Sequence, residues 1–354
     1  MNNKLIALAV SVSVTAALAT PLVASAGVQS KWFGYSQLTL ESLSEKTATG
    51  SAPAQDGIRF GADRVRIGYK IKDGKVFGKL QVDFNKSGQD QGGFNEIIKD
   101  AEGGYKFSNA ASVKLGQYKT PVGMDFNRSG KKLDITKRGM EKKLVLERSQ
   151  GIMLSGRRIA GGVGYDLFYG NAAARSSAVT GSSTDLGNNS SYAARVSYDM
   201  GRLMHVELST GKSSVDGGTD YKVTDFGLGY KRGPMSAQFE YITGKGAKNN
   251  AAAKEKVWFL HFGYQFSRKF EGVVRYYDAK DSDNNLKLSN TYIGANLFLG
   301  SNKTNGRLQL NYVIAGGDGV NSTNTYGDNV SGNGGGVAKG YTDDAILVQY
   351  QVSF

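Results

Sequence analysis

Apolar residues recur at every second position through most of this chain. From Lys75 the order KVFGKLQVDFN sets Val76, Gly78, Leu80, Val82 and Phe84 on one side, and Lys75, Phe77, Lys79, Gln81, Asp83 and Asn85 on the other. From Glu255 the order EKVWFLHFGYQF puts Trp258, Leu260, Phe262, Tyr264 and Phe266 on one face. From Ala345 the order AILVQYQVSF does the same with Ile346, Val348, Tyr350, Val352 and Phe354. A period of two marks strands whose faces meet different surroundings. About sixteen such segments occur, near 30–42, 58–72, 75–85, 95–107, 111–119, 149–157, 162–170, 191–200, 202–213, 221–231, 234–244, 255–266, 269–279, 286–299, 306–315 and 343–354. Roughly ten residues is the length of a tilted strand crossing a bilayer.

The connections alternate as well. Short links follow the even-numbered segments: Asp73-Gly74, 108–110, 158–161, Gly201, Arg232-Gly233, Ser267-Arg268 and 300–305. Links after odd-numbered segments are mostly longer and polar, as at 43–57, 86–94, 120–148, 171–190 and 316–342. Short periplasmic turns and long outer loops are the pattern of an outer-membrane barrel, and an even strand number lets the sheet close without an edge in lipid. The expected fold is all-β: a transmembrane antiparallel β-barrel with both termini in the periplasm. Tyr69, Phe84, Tyr105, Tyr169, Tyr198, Tyr230, Phe266 and Phe298 recur near segment ends, as aromatic rings do at headgroup level.

Composition agrees with this pattern. The chain of 354 residues has 48 glycines, 19 tyrosines, 16 phenylalanines and only 4 prolines, and no cysteine. No disulfide framework or thiolate metal site is therefore expected. Met1 to Ala26 has the order of a secretory signal: Lys4, an apolar stretch from Leu5 to Ala19, and Ala24-Ser25-Ala26 as a small-residue cleavage site. The apolar stretch is short of the ~20 residues of a spanning helix. Residues 27–354 are then a single barrel domain, exported from the cytoplasm. The net charge of +13 fits small anions or lipid phosphates, and export argues against nucleic acid.

The charge is concentrated. Lys119 to Arg148 carries nine basic residues, Lys119, Arg128, Lys131, Lys132, Lys137, Arg138, Lys142, Lys143 and Arg148, against Asp125, Asp134, Glu141 and Glu147. By position it is the third outer loop. A connection of this length without regular structure is unusual unless functional or disordered. Folded into the barrel it would narrow the aqueous path, and basic side chains there would replace part of an anion's hydration and exclude cations. Held outside, the same charges would bind lipopolysaccharide phosphates. Lys131 and Lys132 follow Gly130, which suits a turn, and Lys142 and Lys143 stand beside Glu141, which suggests pairing. On the wall, parity turns Arg64, Arg66, Lys70, Lys79, Lys114 and Arg195 inward into an expected polar lumen. Lys114, on the segment leading into the charged stretch, is the strongest wall candidate.

Signals for catalysis are weak. His205 and His261 lie inward by parity without a nucleophile motif. His205-Val206-Glu207 is too little for a metal site. Gly211-Lys212-Ser213 lacks the upstream glycine and the helix of a phosphate-binding loop. No cofactor is called for.

Particular motifs narrow the reading. VKLGQYKTPVG, from Val113 to Gly123, resembles the strand-to-loop motif of the phosphate-selective porin O/P family, and Leu146-Glu147-Arg148-Ser149 followed by Gly151 resembles that family's return from the loop. Arg64-Val65-Arg66, Leu80 to Phe84 and Lys99-Asp100-Ala101 are similar too, and the terminal Phe354 resembles the sorting signature of Gram-negative barrels. The resemblance is densest over 58–158. It implies a sixteen-stranded barrel, usually trimeric, with a loop bent into the lumen. Phosphate-specific members are longer chains with a dense ladder of arginines and lysines; the wall arginines here are sparser.

The expected function is a passive outer-membrane channel for small hydrophilic solutes with anion preference, phosphate being one candidate. Its expected partners are small anions, outer-membrane lipid, lipopolysaccharide and two further copies of itself. A general diffusion porin with little selectivity is the first alternative. A barrel acting as receptor or adhesin is the second.

Overall fold

The computed structural model describes residues 27–43, 57–86, 97–172, 189–247, 250–282, 286–318, 340–341 and 343–354. The expected signal over 1–26 and most of the outer links 43–57, 86–94, 171–190 and 316–342 lie outside the described residues. In chain order the first strands are β1 (Val28–Leu43), β2 (Gly57–Asp73), β3 (Val76–Asp83), β4 (Ile98–Lys106), β5 (Ser112–Lys119), β6 (Arg148–Ile159), β7 (Val163–Asn171) and β8 (Ser190–Met200). There follow β9 (Met204–Ser214), β10 (Tyr221–Arg232), β11 (Met235–Lys245), β12 (Lys254–Gln265), β13 (Phe270–Asp281), β14 (Leu286–Phe298), β15 (Gly306–Asp318) and β16 (Ala345–Ser353).

Every strand pairs antiparallel with its sequence neighbours, and β1 pairs with β16 from Tyr35↔Ser353 to Leu43↔Ala345, so the sheet closes. Closure leaves no row of unpaired N–H and C=O groups facing lipid. The short turns bring their own chemistry: Gly74 and Gly233 hold φ of +54° and +56°, a region that costs glycine nothing.

Alternation sorts the two faces. Leu115, Leu167, Leu260, Ile293 and Val352 stand on the exposed face. Gln37, Asp83, Asp166, Glu240, Arg275 and Gln349 stand on the buried one. Apolar outside and polar inside is the pattern of a barrel in a bilayer. Two expectations fail in detail. Phe298 is buried, with Lys303 Nζ 4.8 Å from its ring, rather than placed at the lipid interface. The inner face is also not polar throughout. Val223, Ile242, Val257, Phe259, Tyr277, Leu288, Tyr292, Val313 and Leu347 join Ile135, Met140, Leu144, Val145 and Leu146 of the β5–β6 connection in one buried apolar cluster. Interior positions of a barrel can be apolar where other side chains keep water from them.

The connection is short-range structure in an irregular path. It holds one four-residue helix, α1 (Met124–Asn127), and 3-10 turns at Gly130–Lys132 and Met140–Lys143. Its backbone is bonded by neutral amides from strands far apart in the ring. Gln37 Nε2 donates to the carbonyl of Gly130 (3.1 Å), Asn296 Nδ2 to that of Asp134 (3.0 Å) and Gln349 Nε2 to that of Thr136 (2.9 Å). Asn311 Oδ1 accepts from the Thr136 amide at 2.9 Å. These amides complete the hydrogen bonding that an irregular segment cannot complete for itself.

Candidate functional site

Two cavities flank the β5–β6 connection. The first, of about 530 Å3, is bounded by β1–β8 and by the connection from Lys119 to Lys132. Eleven of its lining side chains are lysine or arginine and three are acidic, an excess of eight positive charges. The second, of about 630 Å3, lies against β8–β15 and has seven lysines and arginines against four acids.

Strand register builds the first cavity's charge. Lys31 of β1 is directly opposite Lys70 of β2, and Lys70 is opposite Lys79 of β3. Like charges in directly paired positions repel, so such a row is unfavourable unless counter-charge is supplied. Part of it is supplied by the wall. Lys79 and Arg148 share Asp100, Arg148 Nε at 2.9 Å. Lys114 Nζ is 2.6 Å from Glu102 and 3.8 Å from the Tyr118 ring centre. Arg66 Nε is 2.8 Å from Asp83. Arg157 and Arg195 each come within 2.6 Å of Asp166. Lys70 lies 5.3 Å from the Phe33 ring centre. Among the described residues, Lys31, Lys70, Lys131 and Lys132 have no acid within ion-pair distance, which leaves four ammonium groups for a mobile anion. Burial, and then repulsion from Lys132, Lys31 and Lys70, lower the pKa of Lys131 below its ordinary value.

The twelve sequence candidates separate into three groups. Arg66, Lys114, Lys119, Lys131, Lys132 and Arg148 line the basic cavity. Arg128 lines the other cavity, where Lys132 also reaches. The rest line neither. Lys137 is paired to Glu41, with Asp63 at 3.7 Å. Arg64 donates to Gln37 Oε1 at 2.5 Å. Arg138 is buried and donates to the carbonyls of Asp125 and Arg128; burial, and then Arg64 beside it, push its pKa down to about 10. Lys142 lies 3.9 Å from Glu147, and Lys143 is half-buried on the same turn. The suggested pairing with Glu141 does not form, since neither of its carboxyl oxygens has a hydrogen-bond donor. On a 3-10 turn, adjacent side chains point in different directions.

Arg128 is an anchor. Its Nη1 is 2.9 Å from Asp134 Oδ2 and 3.2 Å from Asp125 Oδ1, and it donates to Gln238 Oε1 at 2.8 Å. Burial alone would raise the Asp134 carboxyl, but Arg128 holds it well below the usual carboxylate range. Sequence reasoning passed over Lys31 and Arg157 in the basic cavity. The inward parity that Lys31 shares with Phe33 and Tyr35 was the available signal, and the neighbouring aromatics masked it.

The family described as phosphate-selective porin O and P matches residues 52–211. Over that span, the chain is similar to this family. The match takes in β2 to β8, most of the wall of the basic cavity, and the whole β5–β6 connection. No curated protein matches the chain. Among solved structures, the porin is similar to the outer-membrane channel DcaP of Acinetobacter baumannii, with a TM-score of 0.65 at 14% identity over 94% of this chain and 99% of that one. The anion-selective porin from Comamonas acidovorans is similar at a TM-score of 0.60 and 15% identity, over 92% and 100%. In vitro-folded OmpT of Vibrio cholerae, in a trimer form, is similar at 0.62 and 12%, over 93% and 100%. The family likeness and the closed barrel support a channel of the Gram-negative outer membrane.

Proposed function

We propose that this porin is a passive, anion-preferring channel whose β5–β6 connection is folded into the lumen, and that its solutes pass through the basic cavity beside β1–β8. The observation that carries the reading is the lining of that cavity, eleven cationic side chains against three acidic ones, with four ammonium groups free of any described acid. Hydrogen bonds from Gln37, Asn296 and Gln349, on well-separated strands, to the same connection support its inward course. In a water-filled constriction, each unpaired ammonium lowers the energy of an entering anion and raises that of a cation, by roughly 1 kcal/mol at 4 Å in bulk water and more where water is restricted. Passage needs no energy input and no covalent step.

Phosphate is the candidate solute, supported by the family description over residues 52–211, as anion preference is by the similarity to an anion-selective porin. The same reading includes a cleaved signal over 1–26, periplasmic termini, and a homotrimer set in lipid and lipopolysaccharide. The trimer is supported by the OmpT likeness. Titrating phosphate against chloride current through the purified porin in a planar bilayer tests the solute. Block of the chloride current supports phosphate as a bound solute. Unchanged chloride current would reject it.

A further inference from the structure

The β5–β6 connection meets β9, β10 and β11 through acidic side chains. Asp125 and Glu141 come from the connection and Glu207, Asp225 and Glu240 from the wall, and none is more than 3% exposed. Two of the five have cations. Arg128 and Arg275 lie 3.2 and 3.7 Å from Asp125, and Arg195 and His205 lie 3.6 and 2.9 Å from Glu207. Among the described residues, Glu141, Asp225 and Glu240 have no cation within ion-pair distance. The charged or titratable groups packed around them are otherwise Arg138 of the connection, Arg275 and Tyr277 of β13, and His261 and Asp134 beyond Arg275.

These three carboxyls are short of donors as well. Both oxygens of Glu141, Oδ1 of Asp225 and Oε1 of Glu240 have no hydrogen-bond partner. Asp225 Oδ2 accepts from Ser209 Oγ at 3.2 Å, and Glu240 Oε2 accepts from the Asp125 amide at 2.8 Å. An ionised carboxylate left dry and unpaired costs several kcal/mol, so a group in this position takes up a proton instead. Burial, and then Asp125, push the Glu141 carboxyl up to about 7.

We propose that these protonated carboxyls are a latch: neutral, they let Asp125 and Glu141 rest against β9–β11, and losing their protons drives the connection off the wall and widens the path beside it. The inference rests on the inward course of the connection proposed above. Each opening event breaks one O–H bond of a carboxylic acid. The proton passes to water or buffer base, and the carboxylate stays behind among like charges. Repulsion within the cluster then acts across the contact between the 3-10 turn Met140–Lys143, α1 and the wall.

The chain has no cysteine of its own, which permits a direct test. A Cβ built at Gly211 would stand 3.2 Å from Cγ2 of Val122, so Val122→Cys with Gly211→Cys can join the connection to β9. Single-channel conductance is recorded as pH is raised through about 7, the value to which the Glu141 carboxyl is pushed. The latch predicts that the unmodified porin steps to a larger and noisier conductance. It predicts that Glu141→Gln with Glu240→Gln stays flat, and that the oxidised cysteine pair loses the step until reductant restores it. Conductance of the unmodified porin that does not change with pH would overturn the proposal, as would a step that survives in the oxidised pair. Should the Gln variant fail to fold, the cysteine pair carries the test alone. Anion preference is read separately from the reversal potential at fixed pH, so a failed latch and a failed channel reading give different results.

Discussion

Replacing Leu144 with alanine asks how firmly the β5–β6 connection is held. Leu144 is 0% exposed and sits in the apolar cluster that the connection shares with residues of β10–β16. Its carbonyl accepts from Tyr221 Oη at 2.6 Å, a bond the substitution leaves in place. Leucine-to-alanine changes in closed cores cost about 2–5 kcal/mol, the upper part of the range applying where neighbours cannot collapse into the gap. The rings of Phe259, Tyr277 and Tyr292 in the same cluster belong to hydrogen-bonded strands of a closed sheet, so little collapse is expected and the cost should fall near 3–4 kcal/mol. Guanidinium unfolding of the porin in lipid vesicles, followed by the fluorescence of Trp32 and Trp258, gives the number. Lys143→Ala, on the same turn but half-buried, is the comparison and should cost less than Leu144→Ala. A Leu144→Ala cost below about 1 kcal/mol would refute the packing argument, since surface changes cost that little.

Other consequences follow from the same geometry. Glu141 holds its proton longer when folded than at its ordinary value of 4.5. Its contribution is therefore full below pH 4.5 and is lost as pH rises through about 7, a change of about 3 kcal/mol that Glu141→Gln should abolish in unfolding measurements across that range. Lys131→Gln with Lys132→Gln should reduce the anion-to-cation permeability ratio about five- to thirty-fold, taking about 1–2 kcal/mol for the two charges together. Lys142→Gln with Lys143→Gln, away from both cavities, should leave that ratio nearly unchanged; equal effects from the two pairs would contradict the assigned path. Gly139→Ala would set a Cβ 2.2 Å from Cζ of Tyr277, so it should cost about 1–3 kcal/mol by overpacking, read from the shift in unfolding midpoint.

The wall was legible in the sequence because its period of two is enforced at every strand by lipid on one side. The sixteen expected segments match the sixteen strands, and β12 alternates as the order EKVWFLHFGYQF predicts. Phe298 escaped because aromatic character near a strand end says nothing of parity, and its inward partner Lys303 comes from the following turn. The connection was legible as charge but not as packing. Ile135, Leu144 and Val145 follow no period, and what they cover is decided by strands far along the chain, from Tyr221 onward. The neutral amides Gln37, Asn311, Gln349 and Gln351 sit at inward positions and could have been noticed as a set. Charge alone drew attention to Lys137 and Arg138, which serve as braces.

The central claim is that anions pass preferentially beside the unpaired lysines of β1, β2 and the connection. The reversal potential of the porin in a planar bilayer, measured across a salt gradient, tests it most directly. The account predicts a potential displaced toward the anion equilibrium value, with Lys31→Gln and Lys70→Gln together moving it back toward zero. A potential on the cation side in the unmodified porin would contradict it.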